Sequence, residues 1–136
     1  MNRDTVIYIA GHRGLAGSAI TDKFQAEGFR NLIVRTHDEL DLTRQADTEA
    51  FFRKIRPEVV IMAAARVGGI MANHTYPAEF IYTNLAIQTN IIHAAYTVGV
   101  RRLVFLGSSC IYPRECPQPM REDHLLTGPL KAPNDP

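Results

Sequence analysis

Thr5-Val6-Ile7-Tyr8-Ile9-Ala10-Gly11-His12-Arg13-Gly14-Leu15-Ala16-Gly17 is the stretch that decides the fold. Its first six residues are a β-rich run that stops at a glycine, and Leu15 to Glu27 carries Leu15, Ala19, Ile20 and Phe24 at helical spacing. A strand, a glycine-punctuated turn and a helix therefore follow one another directly. In Gly11-x-x-Gly14-x-x-Gly17 the first glycine permits a tight turn, the second lets backbone approach a pyrophosphate, and the third lets the helix pack close to the sheet. A helix placed there points its amino terminus at the phosphates. In this context the seven residues Gly11, His12, Arg13, Gly14, Leu15, Ala16 and Gly17 predict a dinucleotide site. The competing explanation, a tight turn with no ligand, leaves three glycines where one would serve.

Working outward, Gly28 supplies a helix stop, and Asn31-Leu32-Ile33-Val34-Arg35 is a second short apolar run followed by the polar stretch Thr36 to Thr43. Ala46 to Ile55 holds a second helical pattern ending before Pro57. Val59-Val60-Ile61-Met62-Ala63 is a near-continuous apolar strand of the kind buried on both faces. After a Gly68-Gly69 loop, Thr75-Tyr76-Pro77 begins a helix that runs to Val98, and Arg102 to Leu106 forms a fourth strand. Short buried strands alternating with helices predict an α/β fold: a Rossmann-type, doubly wound parallel sheet with right-handed crossovers. Four strands in the order 3-2-1-4 are expected, an incomplete sheet with the fourth strand as an open edge. From Pro113 onward the chain is proline-rich and reads as loop, and Asn134-Asp135-Pro136 has the form of a helix start.

Composition bounds the function. Fifteen Lys and Arg stand against fourteen Asp and Glu, a net charge of +1 with no basic stripe, so nucleic acid is not an expected partner. No apolar run approaches the roughly 20 residues of a spanning helix, and Met1-Asn2-Arg3-Asp4 leads straight into a strand, so neither membrane insertion nor secretion is expected and the cytoplasm is the expected compartment. Cys110 and Cys116 are too few for a disulfide scaffold, and a cytosolic setting keeps them reduced. The five histidines show no metal-ligand spacing, and no metal is expected.

The cofactor is read from the end of the second strand, where an NAD enzyme offers an acidic residue to the ribose hydroxyls. Here that end reads Arg35-Thr36-His37, and with Arg13 these side chains suit a 2'-phosphate, which favours NADP(H). The alternatives are a solvated strand end for Arg35 and an incidental surface residue for His37, while Asp41-Leu42 lies within reach of an adenine. A second cluster, Gly107-Ser108-Ser109-Cys110-Ile111-Tyr112-Pro113, begins at the carboxyl end of the fourth strand, where open α/β sheets bind ligands. If the chain stays extended there, Ser108 and Cys110 share a face, a hydroxyl for a carbonyl and a thiol for a base, with Ser109 turned away. Two other roles stand beside these: Ser108 and Ser109 as turn caps, and Cys110 as a small buried hydrophobe.

Gly11-His12-Arg13-Gly14, Ala63-Ala64-Ala65-Arg66-Val67-Gly68-Gly69-Ile70, Asn73-His74-Thr75-Tyr76-Pro77 and Gly107 to Pro113 closely resemble the GDP-L-fucose synthase family of extended short-chain dehydrogenase/reductases, essentially end to end. That resemblance implies NADPH-dependent conversion of GDP-4-keto-6-deoxy-D-mannose to GDP-L-fucose by 3,5-epimerisation and 4-keto reduction, a GDP-sugar substrate and a homodimer. It implies Ser108 as the group polarising the C4 carbonyl and Cys110 as the base at the flanking carbons. It places at the cofactor the loop residues Gly11 to Gly17, then His37, Asp38, Glu39, Leu40, Asp41 and Leu42, then Leu106, Gly107, Ser108 and Ser109; Arg35 and Ala63, at the ends of the second and third strands, are expected to join them. Many family members carry arginine at the position of His37, so a preference for NADP over NAD leans on Arg13 and Arg35. The family's Tyr-x-x-x-Lys helix would begin immediately after Asn134-Asp135-Pro136, so residues 1–136 are expected to be the amino-terminal part of an NADP-binding domain, unable to complete hydride transfer alone, marginally stable and a weak NADPH binder. Another nucleotide-sugar dehydratase or epimerase of the same family, or a non-catalytic NADP-binding remnant or sensor, is the alternative; Ser108 and Cys110, which a sensor has no need to keep, speak against the latter.

Overall fold

The computed structural model describes residues 1–130; the helix-start signature at Asn134-Asp135-Pro136 lies outside them. Four strands, β1 (Ile7–Ala10), β2 (Leu32–Arg35), β3 (Val59–Met62) and β4 (Arg102–Phe105), form one sheet with every neighbouring pair parallel. Helices α1 (Leu15–Ala26), α2 (Gln45–Ile55), α3 (Ile70–Thr75) and α4 (Pro77–Val98) fill the connections.

Every residue of β1 and β3 is buried, and the period-two alternation of a strand sorts their side chains onto two layers. Ile7, Ile9, Val59 and Ile61 face α1 through Ile20 and Phe24. Tyr8, Ala10, Val60 and Met62 face α2 and α4 through Phe52, Ile91, Ala94 and Ala95. Tyr8 anchors the second layer, its ring 4.8 Å from Phe51 and 5.6 Å from Phe52.

The strand order is β2-β1-β3-β4, which corrects the expected 3-2-1-4. Right-handedness explains the difference. From β1 the chain crosses one face of the sheet through α1 to reach β2; from β2 it crosses the opposite face through α2, and a right-handed crossover on that face carries it back past β1. β3 therefore pairs with β1, Ile9 opposite Ile61, rather than with β2. The winding reverses between β1 and β3, and a parallel sheet opens its ligand crevice at the carboxyl ends of the strands at such a reversal. β4 is an edge strand, as expected, with Val104 and Phe105 exposed.

The helix expected from Thr75-Tyr76-Pro77 to Val98 is α4, and a short helix not expected from the sequence, α3, precedes it after Gly69. α3 ends because Pro77 forces Tyr76 out of the helical region, to φ −129° and ψ 49°, and the same proline then opens α4 at a position that needs no N–H. The proline-rich tail is loop up to residue 130 apart from a single 3₁₀ turn at Glu122–His124, and it folds back so that Arg114 N–H donates to the Pro129 carbonyl at 3.0 Å.

Candidate active site

The glycine turn sits where β1 runs out beside β3, and its shape is dictated by that crowding. Gly11 has φ +85°, and a Cβ there would lie 2.5 Å from the Ala63 carbonyl oxygen at the end of β3. Gly17, buried in the first turns of α1, comes so close to the Gly11 carbonyl that a Cβ would overlap it. Gly14 differs: it closes the turn by donating to the Gly11 carbonyl at 2.9 Å, and a Cβ there would meet only that same oxygen, at 3.4 Å. Its outer side is therefore bare backbone, the surface a pyrophosphate lies against. No side chain caps α1 and its first turn carries no acidic residue, so its dipole and leading N–H groups favour an anion at this point.

A cleft of about 930 Å³ opens here across the carboxyl ends of β1, β2 and β3. Of the residues singled out in the sequence, Gly11 to Gly14, Leu15, Ala16, Arg35, His37, Asp38, Leu40, Asp41, Leu42 and Ala63 line it. Arg13 and Arg35 make its β2 side cationic, with His37 beside them. Arg35 is partly committed: its guanidinium lies over the Phe51 ring at 5.6 Å and donates to the Val34 carbonyl at 2.6 Å. Burial pushes the Tyr8 hydroxyl well above its ordinary range, the nearby Arg35 charge pulling only weakly the other way. His37 is exposed, with Nδ1 3.9 Å from Asp41 Oδ1.

Glu39 does not line the cleft. Its carboxylate turns back to accept from the Thr36 N–H at 2.8 Å and the Thr36 hydroxyl at 2.9 Å; these bonds, with smaller help from Arg35 and Arg13, hold it below the usual carboxylate range. Asp41 is likewise held low, chiefly by the Thr43 hydroxyl at 2.7 Å. A cleft of about 690 Å³ between Asn2, Glu58 and Arg101 lies at the amino ends of the strands, the side of a parallel sheet that does not bind ligands.

The Ser108 loop departs from the extended geometry expected of it. Leu106 N–H still pairs with the Met62 carbonyl at 3.0 Å, but Ser109–Ile111 is a 3₁₀ turn, and Ser108 Oγ accepts the Cys110 N–H at 3.2 Å to start it. In that turn residues two apart no longer share a face, so Ser108 and Cys110 do not project side by side. Ser108 is thus a turn cap in this structure, and Cys110 is an exposed free thiol rather than a buried hydrophobe. Leu106, Gly107, Ser108, Ser109 and Cys110 stand at the same carboxyl edge of the sheet as the cleft, one strand beyond β3, without lining it.

Sequence reasoning missed the wall supplied by α4. Thr83 and Ile87 line the cleft, and two asparagines fix its loops. Asn84 accepts from Arg66 N–H at 2.7 Å and donates to the Arg66 carbonyl at 3.0 Å, acting as a strand neighbour for the segment after β3. Asn90 donates to the Leu42 and Thr43 carbonyls at 2.9 and 3.0 Å. Arg66 itself stacks over Phe80 at 4.9 Å. The Ala64-Ala65-Arg66-Val67 part of the wall was signalled by its place after a strand; the α4 residues carry no local signal at all. Among the described residues no cluster of three or more His, Cys, Asp or Glu side chains is placed to hold a metal, and no helix is long and apolar enough to cross a membrane.

The all-parallel sheet, its point of reversal and the sterically required glycine turn define a Rossmann-type protein. Residues 7–136 match the model of the NAD dependent epimerase/dehydratase family, and the chain belongs to that family. It is 61% identical over 135 residues to "Putative GDP-L-fucose synthase 2" of Arabidopsis thaliana, an alignment that takes in 99% of this chain and 41% of the relative. Among solved structures it superposes with TM-score 0.92 and 41% identity on MlghC, a GDP-mannoheptose C4 reductase from Campylobacter jejuni with NADP bound, covering 98% of this chain and 42% of that one. On a GDP-L-fucose synthetase from Naegleria fowleri bound to NADP the TM-score is 0.85 at 27% identity, with 99% and 40% covered. The chain thus spans about 41% of the length of the curated relative it matches.

Proposed function

We propose that these residues are the amino-terminal part of the NADP(H)-binding domain of a GDP-L-fucose synthase, which epimerises GDP-4-keto-6-deoxy-D-mannose at the two carbons flanking its ketone and reduces that ketone to give GDP-L-fucose. The observation that carries this is the cleft, where a turn that sterically demands glycine meets a rim of Arg13, Arg35 and His37; the 61% identity to the Arabidopsis relative supports the substrate. Gly11 to Gly17 hold the pyrophosphate, Arg13, Arg35 and His37 hold the 2'-phosphate, and Asp38 to Leu42 and Ala63 border the adenosine. Leu106 to Ser109 border the nicotinamide. NADPH, when bound, supplies the hydride for the reduction.

Ser108 donates its hydroxyl proton to the C4 carbonyl oxygen while its lone pair still accepts the Cys110 N–H. Holding negative charge on that oxygen acidifies the neighbouring C–H bonds, and Cys110, as its thiolate, takes those protons. The free thiols of the exposed Cys110 and the half-buried Cys116 suit a reducing cytoplasm. Ile81, Leu85, Ile92 and Tyr96, exposed along one side of α4, support the homodimer that the resemblance implies.

Calorimetric titration of the full-length protein tests the cofactor: NADPH binds more tightly than NADH, and Arg13→Ala removes most of the difference. Equal affinity for the two in the unmutated protein overturns it. Residues 1–136 alone, with β4 an open edge, bind NADPH weakly, and tight binding by them overturns that part. A GDP-sugar C4 reductase is the second reading, favoured by the superposition on MlghC; loss of epimerisation with Cys110→Ala decides for the synthase.

A further inference from the structure

Beyond the cleft, the tail after Pro113 gathers three side chains that neither the sequence nor the proposed function uses. Cys116 closes a turn, its N–H donating to the Pro113 carbonyl at 3.2 Å, and its Sγ lies 3.4 Å from Nδ1 of His124. The His124 side chain is 22% exposed, and its Nε2 is 3.8 Å from Asp123 Oδ1. Asp123 is in turn fixed by its Oδ2, 3.2 Å from the Arg121 guanidinium.

The backbone decides the tautomer. Arg121 N–H donates to His124 Nδ1 at 3.2 Å, so that nitrogen carries the lone pair and Nε2 carries the proton, facing Asp123. Nδ1 is therefore an acceptor whose lone pair is shared between the Arg121 N–H and the Cys116 S–H. A thiol against the lone-pair nitrogen of an imidazole whose other nitrogen faces a carboxylate is the arrangement that activates a sulfur nucleophile, here in competition with the Arg121 N–H. Cys110, although more exposed than Cys116, makes no side-chain hydrogen bond through its sulfur among the described contacts.

We propose that Cys116 is a base-assisted nucleophilic thiol and a site of covalent modification by soft carbon electrophiles, with His124 as proton acceptor and Asp123 as the group that positions it. With an alkyl halide, the S–C bond forms as the carbon–halogen bond breaks, the halide leaves with its electron pair, and the thiol proton passes to His124 Nδ1. The Arg121 N–H, in an exposed residue, then turns to water. None of this depends on the bound nucleotide or on the proposed sugar chemistry.

Iodoacetamide labelling of the full-length protein, read at Cys116 by peptide mass spectrometry, tests the assignment. At pH 6.5 native Cys116 reacts about tenfold faster than the same residue in urea-unfolded protein, whose rate falls about tenfold per pH unit below the ordinary thiol range while the native rate falls less. His124→Gln brings the native rate to or below the unfolded one, and Asp123→Asn lowers it by a smaller factor. Native labelling no faster than unfolded labelling overturns the proposal, as does fast native labelling that survives His124→Gln. Should that variant fail to fold, the native-to-unfolded ratio of the unmutated protein decides alone.

Discussion

The glycine turn at residues 11–17 and the serine loop at 107–113 stand at the same edge of one sheet, yet they are held by different forces. Gly11 is wedged against the end of β3 and the buried Gly17 against Gly11, both on close-packed backbone where an added carbon has nowhere to go. The serine loop is exposed and held by its own backbone, Ser108 Oγ to Cys110 N–H at 3.2 Å and Ile111 N–H to the Ser108 carbonyl at 3.3 Å. Cores are close-packed and adjust poorly, whereas short-range bonds in a solvated loop exchange readily for bonds to water or a ligand. A binding turn is thus built rigidly, and the loop proposed to carry the chemistry is left able to reshape around a substrate.

The contrast can be broken most directly at Gly17. Gly17→Val drives a branched side chain into the Gly11 carbonyl and lowers folding free energy by about 3 kcal/mol or more, measured by urea denaturation. Next in size, Asn90→Ala takes a donor from the part-buried Leu42 and Thr43 carbonyls, leaving Leu42 only the longer bond from the Thr48 hydroxyl at 3.4 Å, and costs about 2 kcal/mol in the same assay. Ser108→Ala, on the loop side, removes one exposed cap and costs less than about 1 kcal/mol; a cost matching Gly17→Val would abolish the distinction between the two regions.

The smallest effect is on pH. The fold holds Asp41 below the usual carboxylate range, mainly through the Thr43 hydroxyl, so it favours the ionised form. The stability this contributes is present above the unfolded value of about 4 and is lost as pH falls through the lower folded value. Because the side chain is 34% exposed, solvent screens the effect, and Asp41→Asn merely flattens the acid limb of a stability curve below about pH 4.

Much of the fold was legible because it is written in local periods. β1 and β3 are runs of Val, Ile, Met and Tyr, which a doubly covered strand requires, and their termini follow from Gly11 and from the polar turns around them. The start of α4 was legible in Pro77, whereas the 6 residues of α3 just ahead of it are too short to show a helical period in sequence. Glu39 lies in the right segment for the cleft, yet Thr36 captures its carboxylate, a contact invisible in composition. Asn84 and Asn90 are ordinary helix-surface residues in sequence, and only the packing of α4 on α2 and the sheet brings them to the loops they hold.

Residue type and spacing along the chain determined the parallel α/β class, the glycine turn and the cationic end of β2, since each depends on neighbours within a few positions. Strand order, the α4 wall of the cleft, the 3₁₀ turn at Ser109–Ile111 and the pairing of Cys116 with His124 were decided by tertiary structure. Each depends on which distant backbone comes alongside, and that is settled by crossover handedness and core packing rather than by any local pattern.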